Sequence, residues 1–320
     1  MRVRSAAVAL VLSLACSRGT GTDRARLEGD GAAPPAAFDW DHPASALELS
    51  ADQVAARIGS FEWTGSVEWT VSREGEDARR VRAVERHRVR QAPTGEFEVS
   101  ADIDPGLGPG SETGKEIVYA GGMTYARARY APFRERPTDR GRDARRFRDE
   151  SFLAPRTIAR LLGPALELRT VGEAQALRRA GRKIGLSLAK GAPPAAAPAL
   201  SDASSSDDDT KRRRAFLEGL RPQSVTGEVI LDAATGVPLR TRIAATFGVE
   251  GDANTRATVE LLAQVRAIGG EVAAIAPPKG ALLDERKPAG VAAALEAAGL
   301  KKRPEEKKAP GEPAEDAGEE

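Results

Sequence analysis

Residues 61–72, FEWTGSVEWTVS, carry the clearest periodic pattern in this chain of 320 residues. Apolar side chains occupy alternate positions, with Gly65 as the exception, and the positions between them are small, polar or charged. The apolar set is Phe61, Trp63, Val67, Trp69 and Val71. This alternation predicts an antiparallel strand with one face buried and the other in water.

Signals on either side of this strand predict more sheet and a few short helices. A capping-box pattern at Ser50 and Gln53 predicts an amphipathic helix that ends near Gly59. The pair Gly121 and Gly122 predicts the tight turn of a hairpin. Further strands are predicted at 96–103, 182–188, 227–232, 238–249 and 256–268, and further helices at 155–162 and 291–298.

These elements predict a fold that is mainly β with a few helices, of the α+β class. We expect a single curved antiparallel sheet, a half-barrel, covered by the short helices. The predicted domain spans residues 46–300, with a disordered loop inserted at 191–214. Residues 16–45 are predicted to form a flexible tether, and the charged tail 301–320 is predicted to be disordered.

The start of the chain predicts export and a lipid anchor. Two arginines precede an apolar stretch too short to span a bilayer, which is typical of a secretory signal over residues 1–15. Cys16 follows Ala15 where a bacterial lipoprotein signal places its acylated cysteine. The alternatives are an ordinary cleaved signal and a catalytic thiol, which would need an ordered pocket.

Lipidation of this cysteine with acyl chains such as palmitate implies a place in the cell envelope. By analogy with the enterobacterial sorting rule, Ser17 is not the aspartate that retains a lipoprotein at the inner membrane. We therefore expect an outer-membrane lipoprotein that faces the periplasm.

The composition and the motifs argue against several function classes. A net charge of +1, from 48 basic and 47 acidic residues, gives no general attraction to nucleic acid. The sequence contains no G-x-S-x-G, G-x-x-x-x-G-K-[ST] or H-E-x-x-H motif. We therefore expect no enzyme activity, no cofactor, no metal and no nucleic-acid partner, and the oligomeric state stays open.

The order of the elements, together with two local phrases, resembles the LolA/LppX-like group. The phrases are the hairpin VYAGGMTYARARY, residues 118–130, and TGEVILDAATGVPLRTRIAATF, residues 226–247, with its turn from Asp232 to Gly236. The resemblance covers residues 47–278. It implies a half-barrel with helices over its open side and an apolar cavity that accepts acyl chains. No catalytic or ligand residue is carried over, because the group shares a shape.

The apolar faces of the predicted strands supply candidate residues for that cavity. These are Phe61, Trp63, Trp69, Phe97 and Phe247. The alternative is that they fill a solid core, as aromatic stripes on strands usually do.

A polar pair on another predicted strand is a candidate contact for the headgroup of such a ligand. In AVERHRVRQ, residues 83–91, Glu85 and His87 share one face of the strand with Val89. If that face points inward, a carboxylate and an imidazole lie side by side, where they can bind a polar group. In the other register Arg86 points inward and His87 lies at the surface.

Arg127 and Arg129 are further candidate headgroup contacts. They begin a segment of nine arginines, residues 127–148, which suits anionic lipid headgroups. The alternative interpretation is a solvated loop. The sequence therefore predicts a lipid-anchored envelope protein that binds or carries an apolar, acylated ligand, or else a structural or interaction lipoprotein without a ligand.

Overall fold

The strands of the computed structural model form one open, curled antiparallel sheet. The structure describes residues 38–75, 78–136, 141–189 and 215–283. Contacts divide the chain into two units, Met1–Leu282 and Leu283–Glu320, and the described part of the second is Leu283 alone. Apart from Leu283, the sheet and the helices that cover it belong to the first unit. Outside the described residues lie Cys16, the predicted loop 191–214, the helix predicted at 291–298 and the tail 301–320.

The strands follow one another along the sheet with few crossovers. Their bounds are β1 Phe61–Arg73, β2 Arg79–Gln91, β3 Phe97–Asp104, β4 Thr113–Ala120, β5 Met123–Ala128, β6 Arg134–Arg136, β7 Leu166–Ala176, β8 Arg179–Leu188, β9 Leu220–Asp232, β10 Pro238–Val249, β11 Asp252–Ile268 and β12 Leu282–Leu283. The order across the sheet is β6-β5-β4-β3-β2-β1-β11-β10-β9-β8-β7. At the β6 edge, the backbone N–H of Leu282 donates to the carbonyl of Phe133.

The strand predicted from residues 61–72 lies in the middle of this sheet. β1 pairs with β2 on one side and with β11 on the other, and its residues alternate between buried and half-exposed. Val67 stands opposite Glu85 of β2 and Leu261 of β11. The predicted fold class, a mainly β half-barrel with few helices, is confirmed.

Short helices cover the apolar face of the sheet. They are α1 Ala51–Ile58, α2 Arg142–Phe152 and α3 Ala154–Leu162, together with the 3₁₀ helices Pro43–Glu48 and Gly163–Ala165. Another 3₁₀ helix, Gly269–Glu271, follows β11 and has no buried residue. The predicted capping box is present, since Ser50 and Gln53 each bond the other's backbone N–H. The buried residues of the helices and of the sheet form one hydrophobic cluster.

Two segments differ from the sequence prediction. The interpretation of residues 127–148 as a solvated loop is wrong for α2, whose Ala144, Arg148, Ser151 and Phe152 are buried at helical spacing. β7 was not predicted, because most of its residues are exposed and they do not alternate.

Residues 38–45, the described part of the predicted tether, contact the fold instead of forming a free linker. Phe38 and Trp40 pack against the hydrophobic cluster. The guanidinium of Arg182 lies 4.0 Å from the ring centre of Trp40. Phe38 lies against Gly236, which ends the turn after β9 with a φ of 69°.

Candidate functional site

The five aromatic residues predicted to line a cavity lie together on the inner, apolar face of the sheet. Phe61, Trp63, Trp69, Phe97 and Phe247 are each at most 4% exposed. They are packed against other rings instead of facing open space. The nearest ring partners are Phe152 for Phe61 and Trp63, at 5.6 and 5.2 Å between ring centres, Phe247 for Trp69 at 6.2 Å, and Tyr119 for Phe97 at 5.4 Å.

The space behind Trp63 is almost filled. A cavity of about 20 Å³ lies there, which is room for about one water molecule. Its lining comes from the segment before α1, from the junction of α2 and α3, and from β1 and β10. The lining residues are Ala46, Leu47, Leu49, Trp63, Phe152, Leu153, Pro155, Pro238 and Thr241. The helices thus close the inner face of the sheet.

A glycine in β1 leaves room for one of these rings. The indole of Trp63 lies over Gly65, and a β-carbon at position 65 would overlap the ring. Gly65 interrupts the alternating pattern of residues 61–72 because the Trp63 indole occupies the space that a side chain at position 65 would need.

Glu85 and His87 form a buried polar pair on the same inner face. They are 4% and 5% exposed, and His87 Nε2 lies 3.3 Å from Glu85 Oε2. Their neighbours across the strands are Val67, Ile103, Gly65 and Ala101. The inward register is therefore the one that the chain adopts.

Two atoms of this pair have no hydrogen-bond partner among the described residues. These atoms are Glu85 Oε1 and His87 Nδ1. Because an unpaired buried polar atom costs about 1–3 kcal/mol, such atoms are rare in folded proteins and call for an explanation.

A second buried polar cluster, centred on Arg148, joins the helices to the sheet. Arg148 of α2 is 1% exposed and donates to both carboxylate oxygens of Asp52 in α1, at 2.7 and 2.8 Å. It also donates to Gln91 of β2 at 2.9 Å and to Asp149 at 2.9 Å, and its guanidinium lies 4.7 Å from the ring centre of Phe97.

The Arg148 side chain stays charged in this environment. Burial alone would lower its pKa, but the hydrogen bond that Arg148 donates to Asp52 and the charges of Asp149 and Asp52 outweigh burial and raise the pKa. Sequence reasoning did not identify this cluster. The available signal was the spacing of Ala144, Arg148 and Ser151, which places them on one helical face.

The structure does not bring Arg127 and Arg129 to the polar pair. In β5 the inward position is Ala126, so Arg127 points to the outer face, where it bonds Glu116 at 2.5 Å and stacks on Phe133 at 4.4 Å. Arg129 lies at the same edge, 5.1 Å from the ring centre of Tyr130. The four predicted headgroup contacts are thus divided between opposite faces of the sheet.

Other possible sites in the described residues are few. No three His, Cys, Asp or Glu side chains of the described part form a group that could hold a metal ion. Among the helices that the structure describes, none is both long and apolar enough to cross a membrane.

Comparison with known proteins finds similarity in fold alone. No family model and no curated protein matches the chain. It is similar to LprF from Mycobacterium bovis, with 13% identity and a TM-score of 0.32 over 74% of this chain and 97% of that one. It is also similar to the lipoprotein LppX from Mycobacterium tuberculosis, with 9% identity and a TM-score of 0.26 over 72% of this chain and 97% of that one. A LolA superfamily protein from Nitrosomonas europaea is 10% identical, with a TM-score of 0.20 over 72% of this chain and 96% of that one. The solved structures to which the chain is similar thus include members of the group that its sequence resembles.

Proposed function

We propose that this protein is a lipid-anchored envelope lipoprotein that binds an amphipathic, acylated ligand on the inner face of its sheet. The observation that carries the proposal is the buried pair Glu85 and His87, with one unpartnered atom on each side chain. A pair of this kind within an apolar face is costly to keep, and a ligand that satisfies both atoms removes that cost.

The two atoms define the chemistry of the ligand's polar end. A neutral imidazole that donates its Nε2–H to Glu85 Oε2 has an acceptor at Nδ1. For this tautomer of His87, and with Glu85 ionised so that its Oε1 is also an acceptor, the ligand has to supply donors. A hydroxyl, an amide or an ammonium group meets this requirement, whereas a bare phosphate does not.

The acyl part of the ligand would replace the contacts that now close the inner face. The cavity of about 20 Å³ cannot hold a chain, so the side chain of Phe152, the last residue of α2, has to move away from Trp63. Burying ten methylenes is worth about 8 kcal/mol, which is enough to offset the packing that one phenylalanine side chain loses.

The proposed anchor is a lipid on Cys16, which would hold the mature chain to the outer membrane. One acyl chain gives only marginal membrane binding, whereas a diacylated cysteine gives stable attachment. Replacing Cys16 by serine is expected to release the protein from the membrane fraction or to leave it at the mass of the unprocessed precursor. Unchanged membrane retention and unchanged mass would contradict the anchor.

The filled core favours a second candidate function, a structural or interaction lipoprotein without a ligand. The ring contacts of Trp63 and Trp69 leave little open space beside them. In that case the chain, when it is purified from its own membrane, carries no stoichiometric non-covalent lipid in addition to its anchor.

One experiment separates the two candidates. The full chain is purified from its own membrane, and bound lipid is measured by native mass spectrometry and by extraction. The double variant Glu85→Leu with His87→Leu is compared with Arg86→Gln, because Arg86 lies between them on the outer, exposed side of β2.

The proposal expects lipid on the wild type and on Arg86→Gln, and a loss of at least tenfold on the double variant. The double variant is expected to be at least as stable as the wild type, because it removes two unpaired buried polar atoms. A wild-type protein with no bound lipid and no uptake of a fluorescent fatty acid would leave the interaction role as the function.

A further inference from the structure

A second cavity, of about 250 Å³, lies where β10 and β11 separate, under the tip of the β7–β8 hairpin. It shares no lining residue with the small cavity beside Trp63. The residues that line it are Gln175, Ala176, Leu177, Ile230, Leu239, Arg240, Gln264, Val265 and Arg266.

The register of the strands explains why a gap opens at this place. The pairing of β10 with β11 begins at Arg240 opposite Gln264, although β11 continues to Ile268 along β1. Pro238, which starts β10, pairs with Leu231 of β9 and has no N–H to offer to β11. On the Pro238 side of Arg240 the two strands therefore do not pair, and a gap in the sheet results.

Among the described residues, those that line the cavity carry positive charge and no carboxylate. Its charged lining residues are Arg240 and Arg266. Arg266 donates to the hydroxyl of Thr64 at 3.2 Å, and its nitrogens face the side-chain amide of Gln264. Within the described residues, Arg240 has neither a hydrogen bond nor an ion pair from its side chain.

Nearby carboxylates already have partners of their own. Glu228 interacts electrostatically with Arg240, but it lies 2.6 Å from the ammonium of Lys183 and also interacts with Arg242. Glu271 lies 2.8 Å from Arg178 at the hairpin tip. The lining of the cavity thus contains two guanidinium groups and no carboxylate from the described residues, which favours an oxyanion.

The hairpin tip adds an apolar wall to the cavity at the expense of backbone strain. Leu177 and Arg178 have φ angles of 51° and 59°, in the left-handed region that favours glycine or asparagine. The Leu177 side chain lines the cavity together with Ile230, which is 7% exposed although it lies on the outer side of β9. A type I′ turn requires positive φ at both positions, and here a leucine and an arginine adopt it without glycine or asparagine.

We propose that this cavity binds a small organic anion, a carboxylate or a phosphate monoester with a short apolar chain. The guanidinium groups of Arg240 and Arg266 hold the oxyanion, and Leu177 and Ile230 contact the apolar chain. The volume equals about eight water molecules and lies below the range for drug-sized ligands, so the ligand is small. This site does not depend on the function proposed for the inner face.

Calorimetry on the full chain in zwitterionic nanodiscs tests the proposal. The probes are butyl phosphate, butyrate, inorganic phosphate and the neutral control butanol, with empty nanodiscs as the blank. The variants are Arg240→Gln and Arg266→Gln. Arg242→Gln is the matched control, because Arg242 lies two residues along β10 on the same exposed face and outside the cavity lining.

We expect at least one of the two butyl anions to bind the wild type and Arg242→Gln equally, and to bind each cavity variant at least tenfold more weakly. Butanol should not bind. Preference for butyl phosphate or for butyrate identifies the oxyanion, and equal binding of inorganic phosphate would contradict a role for the apolar wall. Absence of binding by both butyl anions at millimolar concentration, or an equal loss in Arg242→Gln, would overturn the proposal.

Discussion

Replacing Arg148 by alanine tests whether the buried polar cluster holds the helices to the sheet. The side chain is 1% exposed and connects α1, α2 and β2 through its bonds to Asp52, Gln91 and Asp149. Its guanidinium also lies over the ring of Phe97. The substitution removes all of these contacts at once.

The expected loss is about 3 kcal/mol of unfolding free energy, at the lower end of the range for removing one partner of a buried ion pair. Gln91, at 1% exposure, loses the donor to its Oε1, which costs about 1–3 kcal/mol. The contact with Phe97 is worth up to about 2 kcal/mol, and burial of the two methylenes that alanine lacks is worth about 1.6 kcal/mol. Two effects work in the opposite direction. The Asp52 side chain is 57% exposed and can be hydrated, and the guanidinium no longer has to be desolvated.

Urea unfolding followed by tryptophan fluorescence measures this loss. Arg142→Ala is the control on the same helix, since its side chain is 87% exposed, and we expect a change within about 0.5 kcal/mol. The comparison requires an unchanged dependence on urea, so that both variants unfold between the same states. A loss below about 1 kcal/mol for Arg148→Ala would refute the claim that this cluster anchors the helices.

Two further predictions concern packing and pH. Gly65→Ala is expected to destabilise the fold by about 1–3 kcal/mol, because the new methyl group would overlap the Trp63 indole, whereas Gly270→Ala, which has open space around it, should be neutral in the same urea assay. A Gly65→Ala protein as stable as the wild type would show that Trp63 can move freely. The hydroxyl of Thr255 and nearby backbone amides lower the pKa of Asp252 in the folded chain. Its stabilising effect should therefore be present above the unfolded pKa of about 3.9 and be lost as the pH falls through the lowered folded pKa. Urea midpoints of the wild type and Asp252→Ala should differ at pH 7 and converge at strongly acidic pH, and a difference independent of pH would count against this reasoning.

Alternation was enough to predict the centre of the sheet. β1 has one face against the core and one in water, so the apolar or polar character of each residue predicts whether it is buried. For β2 the same pattern left two registers open, and the structure shows that Glu85 and His87 point inward together with Val89. β7 could not be found in this way, because an edge strand with exposed residues on both faces has no pattern to detect.

The filled state of the inner face could not be predicted from the strands alone. It depends on Phe152, which α2 brings onto Trp63, and the many arginines of α2 hide its short apolar stripe. The second cavity, of about 250 Å³, could not be predicted either, because it depends on the point at which β10 and β11 stop pairing. Both features depend on how segments that are distant in the sequence pack together, and this packing cannot be inferred from the residue types of a single segment.

The two buried polar clusters on the inner side differ in a way that assigns them different roles. Each guanidinium nitrogen of Arg148 has a partner, and a fully satisfied buried network fixes one arrangement of its elements. Glu85 and His87 contact each other through one atom each, and their remaining atoms have no partner in the described chain. If the pair served only to stabilise the fold, apolar side chains of similar size would serve better. We therefore propose that a ligand completes the polar atoms left open on Glu85 and His87, which is why the proposed site is centred on this pair and not on Arg148.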